Sequence, residues 1–262
     1  MPPLADVDAP DVVRALVSQD VAGWSAVDPA SVSVERTEGS EWHAVFFATA
    51  PPALAIGAPL EHPKLVVTVQ AWSGATLANK AAASLHLSTL GLGPKVVGDF
   101  EAELPPGSGV ARRVHACEWL AGGEFRPEEL DDPAQVAALG ALYGRLHSSD
   151  GAGTGWFDET LAGLQREGLL MADDTGDWAS CDWVLSWLLS LVPEANRAAL
   201  SEKGVDLGVI ASEIAGLRSS PLLPATPTVT VHGDSHFGNI THEGQVDGAL
   251  RLIDFDLTAP GP

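Results

Sequence analysis

Basic residues are scarce in this chain. Lysine and arginine number 14 against 35 aspartates and glutamates, a net charge of −21 over 262 residues. So acidic a surface repels phosphate backbones and anionic headgroups, which argues against nucleic acid and membrane as partners. The same field favours a cationic or amine-bearing small molecule, and any anion bound here needs a local positive patch. Cysteine is nearly absent too. Cys117 and Cys181 stand far apart and form no metal-ligand spacing, which fits a reduced cytoplasm. No apolar run is long enough to span a bilayer. Met1 to Asp6 lack the basic start and apolar stretch of a secretory signal. No internal repeat is evident, and nothing fixes an oligomeric state.

What is present is apolar residue in quantity. The hydrophobic content of 45% suffices for one large core or two lobes. Residues 1 to about 30 have weak periodicity and read as one short helix plus coil. Val32 to Glu35, Trp42 to Ala48 and Lys64 to Trp72 read as strands, the third rich in β-branched residues. Residues 75 to 90 are rich in Ala and Leu and read as a helix ended by Gly91, Gly93 and Pro94. Two more strands follow, Lys95 to Phe100 and Ala111 to Leu120. Asp132 suits an N-cap with Pro133 at the first helical position, and Val136, Leu139, Leu142, Tyr143 and Leu146 then share one face. Residues 150 to 158 read as a Gly-rich loop and 205 to 217 as a helix. Trp178, Trp183 and Trp187 lie among leucines, so they fit a helix core better than an aromatic cage for a quaternary amine.

The strongest signal is Val231-His232-Gly233-Asp234-Ser235-His236-Phe237-Gly238-Asn239, followed by Ile253-Asp254-Phe255-Asp256. An acid precedes an amide by five residues, and a second acid follows fifteen later. The residues between read as strand, glycine-containing turn, strand, so a hairpin returns Asn239 and Asp254 to the same end. Phosphoryl transfer needs chiefly positioning and charge neutralisation. Asp234 is suited to accept the proton of an attacking hydroxyl. Asn239 offers a neutral oxygen, and Asp254 a hard anionic one, to magnesium. A rival reading makes His232 and His236 metal ligands four apart on a helix. Gly233 and Gly238 argue against a helix there.

This pattern, with His-Gly-Asp in place of His-Arg-Asp, resembles the aminoglycoside phosphotransferase and choline kinase superfamily. Gly91 to Phe100, Glu118 to Gly123, Pro127 to Leu130 and Leu146-His147-Ser148 look like its choline and ethanolamine kinase branch. The resemblance implies an α+β, two-lobed protein-kinase-like fold. A small antiparallel-sheet N-lobe (residues 1–120, three strands, helix, two strands) precedes a mainly helical C-lobe (residues 121–262). It implies an ATP-dependent small-molecule kinase using ATP and Mg2+. Asp234 is then the base, Asn239 and Asp254 the metal ligands, and the backbone of Glu118 and Leu120 the adenine contacts. The turn at Gly39 and Ser40 lies over the phosphates. Further helices after residue 262 are implied, so the C-lobe reads as incomplete.

Two departures from the pattern matter. Thr68 stands where the resemblance implies a basic strand residue that contacts the phosphates. Asn79 and Lys80 stand where it implies the glutamate that pairs with it. Lys80, or Lys64 at the strand start, is the candidate replacement. The alternative is a non-catalytic kinase-like binding module.

Overall fold

Alternation of apolar and polar residues decides the first half of the chain. In β2 (His43–Thr49) Ala44, Phe46 and Ala48 are buried, and in β3 (Lys64–Gln70) Leu65, Val67 and Val69 are. A period of two sends these side chains to one face of a sheet and their neighbours to the other. β2 and β3 join β1 (Ser33–Arg36), β4 (Val96–Glu103) and β5 (Ala111–Glu118) in an antiparallel sheet of order β1-β2-β3-β5-β4. α2 (Ala75–Thr89) links β3 to β4. The computed structural model describes residues 4–37, 43–51, 60–70, 75–148, 155–166, 189, 192–217, 229–244, 248–255 and 258–261, with 5, 75–80, 160, 161, 164, 165, 195, 217 and 259–261 by backbone alone.

The buried sheet face is covered by the chain's own N-terminal segment. α1 (Ala9–Ser18) carries Pro10 in its first turn and buries Val12, Val13 and Leu16. Short 3-10 turns at Leu4–Asp6, Val21–Ala26 and Pro29–Ser31 complete the cover. Trp24 is fully buried, and its indole N–H donates to the His62 carbonyl at 3.1 Å. Val7, Leu16 and Trp24 share one core with Phe46, Val67 and Val114. The sequence offered only a short helix plus coil here. Turns of three to six residues are too short to show a period, so their place in the core is a property of the tertiary structure.

A second core lies on the other side of α2. Ala83 and Leu87 of α2 pack there with Leu92, Phe125, Leu142, Leu146, Trp156, Leu252 and Phe255. α3 (Pro133–Leu146) begins as expected: the Asp132 carboxylate accepts the Ala134 N–H at 2.8 Å, and Pro133 opens the helix. Its apolar face is buried only at Leu142 and Leu146, whereas Val136 is exposed. α4 (Gly155–Arg166) replaces the last four residues of the loop expected over 150–158, because Trp156 and Phe157 are buried and draw the backbone into a helix against α2; residues 150–154 lie outside the described residues. α5 (Glu194–Glu202) and α6 (Leu207–Leu217) follow, with Asp206 accepting the Gly208 N–H at 2.8 Å at the start of α6. Trp178, Trp183 and Trp187 lie outside the described residues. Two small antiparallel pairs close the chain, β6 (Val229–Val231) with β9 (Ala259–Gly261) and β7 (Ile240–His242) with β8 (Leu250–Leu252). Among the described residues no helix is long and apolar enough to cross a membrane.

Candidate active site

β6 delivers the chain to His232, and His232 fastens two segments together. Its ring is buried. Nε2 donates to the Ile253 carbonyl at 2.8 Å, and Nδ1 accepts the Asp234 N–H at 3.4 Å. Burial lowers the His232 pKa, against the opposing pull of the Ile253 carbonyl and the Asp254 and Asp234 carboxylates. A neutral ring with its proton on Nε2 satisfies both bonds. The backbone here is a loop, not a helix, and both ring nitrogens are engaged, so His232 and His236 do not form a metal pair. Thr258 ties the next segment in, its hydroxyl donating to the His232 carbonyl at 3.2 Å. Gly233, at φ 82°, makes the turn that Asp234 follows.

Asn239 is buried beside Asp234. Its Nδ2 donates to the Asp234 carbonyl at 3.0 Å and to Asp234 Oδ2 at 3.3 Å. Those oxygens only accept, so the amide must turn its NH2 toward them and keep Oδ1 for another partner. The hairpin then brings the second acid back. Ile240 pairs with Leu252, and the Ile253 N–H donates to the Asn239 carbonyl at 2.9 Å. Asp254 adopts φ 61°, the left-handed region, at a cost of about 1–2 kcal/mol for a non-glycine residue. Packing on both sides holds it there. The Leu252 N–H donates to the Leu92 carbonyl at 2.7 Å, and a Cβ added at Gly93 would stand 2.9 Å from the Phe255 ring. Strain held in this way concentrates at functional positions.

Asn239 and Asp254 line a cavity of about 470 Å³ between the exposed sheet face and the hairpin. Val45 and Phe47 of β2, Val66 of β3 and Cys117 of β5 form its apolar roof, with Ile253 and Phe255 opposite. At one end the segment Glu118–Leu120 forms the rim. The Glu118 N–H donates to the Lys95 carbonyl at 2.9 Å and the Trp119 N–H to the Lys64 carbonyl at 3.2 Å. The Leu120 N–H has no partner among the described residues. Lys64 is held at this end, its ammonium 3.8 Å from the centre of the Trp119 ring in a cation–π contact. Asp234 is half exposed and does not line the cavity; its Oδ2 stands 3.8 Å from His236 Nε2.

The model of the phosphotransferase enzyme family matches residues 65–262. The chain belongs to that family. Among solved structures the chain is similar to choline kinase from Cryptosporidium parvum, at 14% identity over 97% of this chain and 66% of that one, with a TM-score of 0.56. It is similar to an ethanolamine kinase from Plasmodium vivax, at 15% identity over 95% of this chain and 62% of that one, with a TM-score of 0.58. A third similar structure is an amicoumacin kinase in complex with AMP-PNP, Ca2+ and Ami, at 15% identity over 98% of this chain and 66% of that one, TM-score 0.54. No curated protein sequence matches. The likeness shows the fold: an α+β protein-kinase-like fold with an antiparallel-sheet N-lobe and a mainly helical C-lobe. The chain spans just under two thirds of the length of the choline kinase and less of the ethanolamine kinase.

The sheet register shows what surrounds Thr68. Val45 on β2, Thr68 on β3, His115 on β5 and Asp99 on β4 are successive partners across the sheet. Val45, Thr68 and His115 all line the cavity. The described lining residues include Glu118, Glu124 and Asp254, with no lysine or arginine among those described; His43 and His115 are the basic types among them. Sequence reasoning missed His115 and Cys117. Their alternation with buried Val114 and Ala116 marked them as facing away from the core, but nothing local placed them beside Thr68. Lys80 falls within α2, where only the backbone is described, and Gly39 and Ser40 lie outside the described residues.

Proposed function

We propose that this chain is an ATP-dependent phosphotransferase acting on the hydroxyl of a small molecule. The observation that carries the reading is the convergence of Asp234, Asn239 and Asp254. Three residues separated in sequence are locked to one another by His232, by the Asn239 amide and by the β7–β8 hairpin. Asp234 takes the role of base. As the acceptor oxygen bonds to the γ-phosphorus, the bond to the bridging oxygen of the departing ADP breaks, and the hydroxyl proton passes to the Asp234 carboxylate. Asn239 Oδ1 and the Asp254 carboxylate are hard oxygen donors that fit Mg2+, with phosphate oxygens and water supplying the rest. Bound there, the ion would neutralise charge on the phosphates.

The apolar roof suits a flat base, with the Glu118 carbonyl and the Leu120 N–H as its edge contacts. Gly39, Ser40, Thr68 and Lys80 are assigned to the phosphate end. Residues 1–120 form the nucleotide-binding lobe and 121–262 the lobe with the catalytic loop. The acceptor is assigned to the amino alcohols, aminoglycosides or sugars, a class that the charge of −21 favours when the molecule carries an amine. Function in the cytoplasm, without nucleic acid or membrane partners, fits the same composition.

The test is turnover of ATP with a panel of amino alcohols and aminoglycosides. Asp234→Ala should reduce it by a factor of about 100 or more while the melting temperature stays near wild type. Wild-type turnover in the variant would refute the mechanism. One observation favours a second reading, a non-catalytic binding module: a cavity with no lysine or arginine among its described lining residues, and Thr68 at the strand position. Thermal stabilisation by Mg2+ and ATP without turnover on any acceptor would select it.

A further inference from the structure

We infer that His115 supplies the positive charge on the sheet wall of the cavity that Thr68 does not, and so positions the polyphosphate of a bound nucleoside triphosphate. The inference rests on the nucleotide-binding reading above. Its first support is place. His115 is the direct cross-strand partner of Thr68, and both line the cavity. Side chains directly opposite in an antiparallel pair have Cβ atoms about 5 Å apart. A charge on His115 therefore falls within a side chain's length of where a lysine at 68 would carry it.

The second support is the charge inventory. Glu124 and Asp254 are among the lining residues, whereas the Glu118 carboxylate is turned to the Lys95 N–H at 2.7 Å and to His62. Among the described lining residues the two basic types are His43, at the start of β2, and His115, in mid-sheet. Lys64 is engaged with Trp119 at the rim. A polyphosphate entering this space meets repulsion unless something offsets it.

The third support is the setting of the ring. His115 is 5% exposed, with Nδ1 3.7 Å from Asp99 Oδ1 and Nε2 3.2 Å from the Cys117 sulfur. Asp99 is itself held by Arg113, at 2.8 Å and 2.5 Å. Burial alone would lower the His115 pKa. The Asp99 carboxylate and the Cys117 sulfur outweigh it and raise the value to about 9. The Asp99 and Arg113 charges offset each other, so protonation of His115 adds one positive charge to the wall. At 3.7 Å Nδ1 makes an ion-pair contact without a hydrogen bond, so a buried donor lacks an acceptor. The groups set around the imidazole are thus Asp99 on β4, Arg113 and Cys117 on β5, and Thr68 on β3, with His43 on β2 further along the same wall.

The experiment compares ATP with adenosine, each titrated calorimetrically in the presence of Mg2+. His115→Gln should weaken ATP about tenfold, the loss of one charged contact, and leave adenosine unchanged. The double variant H115Q/T68K should regain most of the ATP affinity, because a lysine at 68 restores the charge in the same place. Unchanged ATP affinity in H115Q overturns the inference. So does equal weakening of ATP and adenosine, or no recovery in the double variant, since either marks a packing role. If H115Q does not fold, the wild type decides: the affinity gap between ATP and adenosine should narrow from pH 7 to pH 10, and a constant gap overturns the inference. Absence of binding by both ligands to the wild type would instead overturn the nucleotide reading itself.

Discussion

The Asp99–His115 pair makes stability depend on pH in a direction opposite to that of an ordinary buried histidine. An imidazole buried without a carboxylate resists protonation and loses stability in acid. His115 has its pKa raised from 6.5 to about 9 in the fold. A group whose pKa is raised by folding contributes fully below its unfolded pKa, and the contribution disappears as pH rises through the folded value. The shift corresponds to roughly 3 kcal/mol, lost progressively as pH rises from 6.5 to 9. His115→Gln provides the reference, because glutamine keeps a polar side chain of similar size and does not titrate. Urea denaturation of both proteins at half-unit steps from pH 6 to pH 10 measures the effect. Wild type minus variant should be largest at pH 6 and approach a lower plateau above pH 9. Asp99, whose own pKa is held down by Arg113 and His115 against burial, acts in a separate acid window and does not interfere. A difference that is flat, or that grows with pH, would refute the reasoning.

Other consequences follow from single positions. Asp254→Gly should be more stable than Asp254→Ala by about 1 kcal/mol, because φ 61° burdens only the alanine, while both lose turnover; equal melting temperatures would contradict this. Gly122→Ala should destabilise by about 1–3 kcal/mol or prevent folding, since its Cβ would stand 2.4 Å from the His242 carbonyl oxygen. Gly123→Ala, with nothing within 4 Å but φ +79°, should cost only about 1–2 kcal/mol, and chemical denaturation ranks the two. Lys80→Ala should raise the apparent KM for ATP by a factor equivalent to about 1–3 kcal/mol, whereas Lys95→Ala, whose ammonium pairs with exposed Glu61 at 2.6 Å, should change little. Equal and negligible effects in steady-state kinetics would remove Lys80 from the site.

Much of the architecture was legible in the residues because its signals are local. Period-two alternation marked β2, β3 and β5, and Asp132-Pro133 marked the start of α3. The five-residue step from Asp234 to Asn239 and the strand-turn-strand before Asp254 announced which groups converge. That chemistry needs a base and two oxygen ligands at one end of a hairpin, and a hairpin is encoded within about twenty residues of chain.

Other features depend on contacts between distant segments, which no local period records. The N-terminal turns join the sheet core through Val7 and Trp24, although they show no pattern of their own. Lys64, a candidate cation for the phosphates from sequence, is held at the Glu118–Leu120 rim of the cavity by Trp119. The left-handed backbone of Asp254 depends on the packing of Phe255 and on the bond from Leu252 to Leu92. His115 faces Thr68 because the β3–β5 register pairs them, and a one-residue slip would turn its ring into the core. The sequence by itself determined which side-chain types stand at short spacing around the hairpin, since residue type and spacing are properties of the chain. Only the tertiary structure decided which charge stands beside which, because register and burial are set by strands that meet across nearly fifty residues of intervening chain.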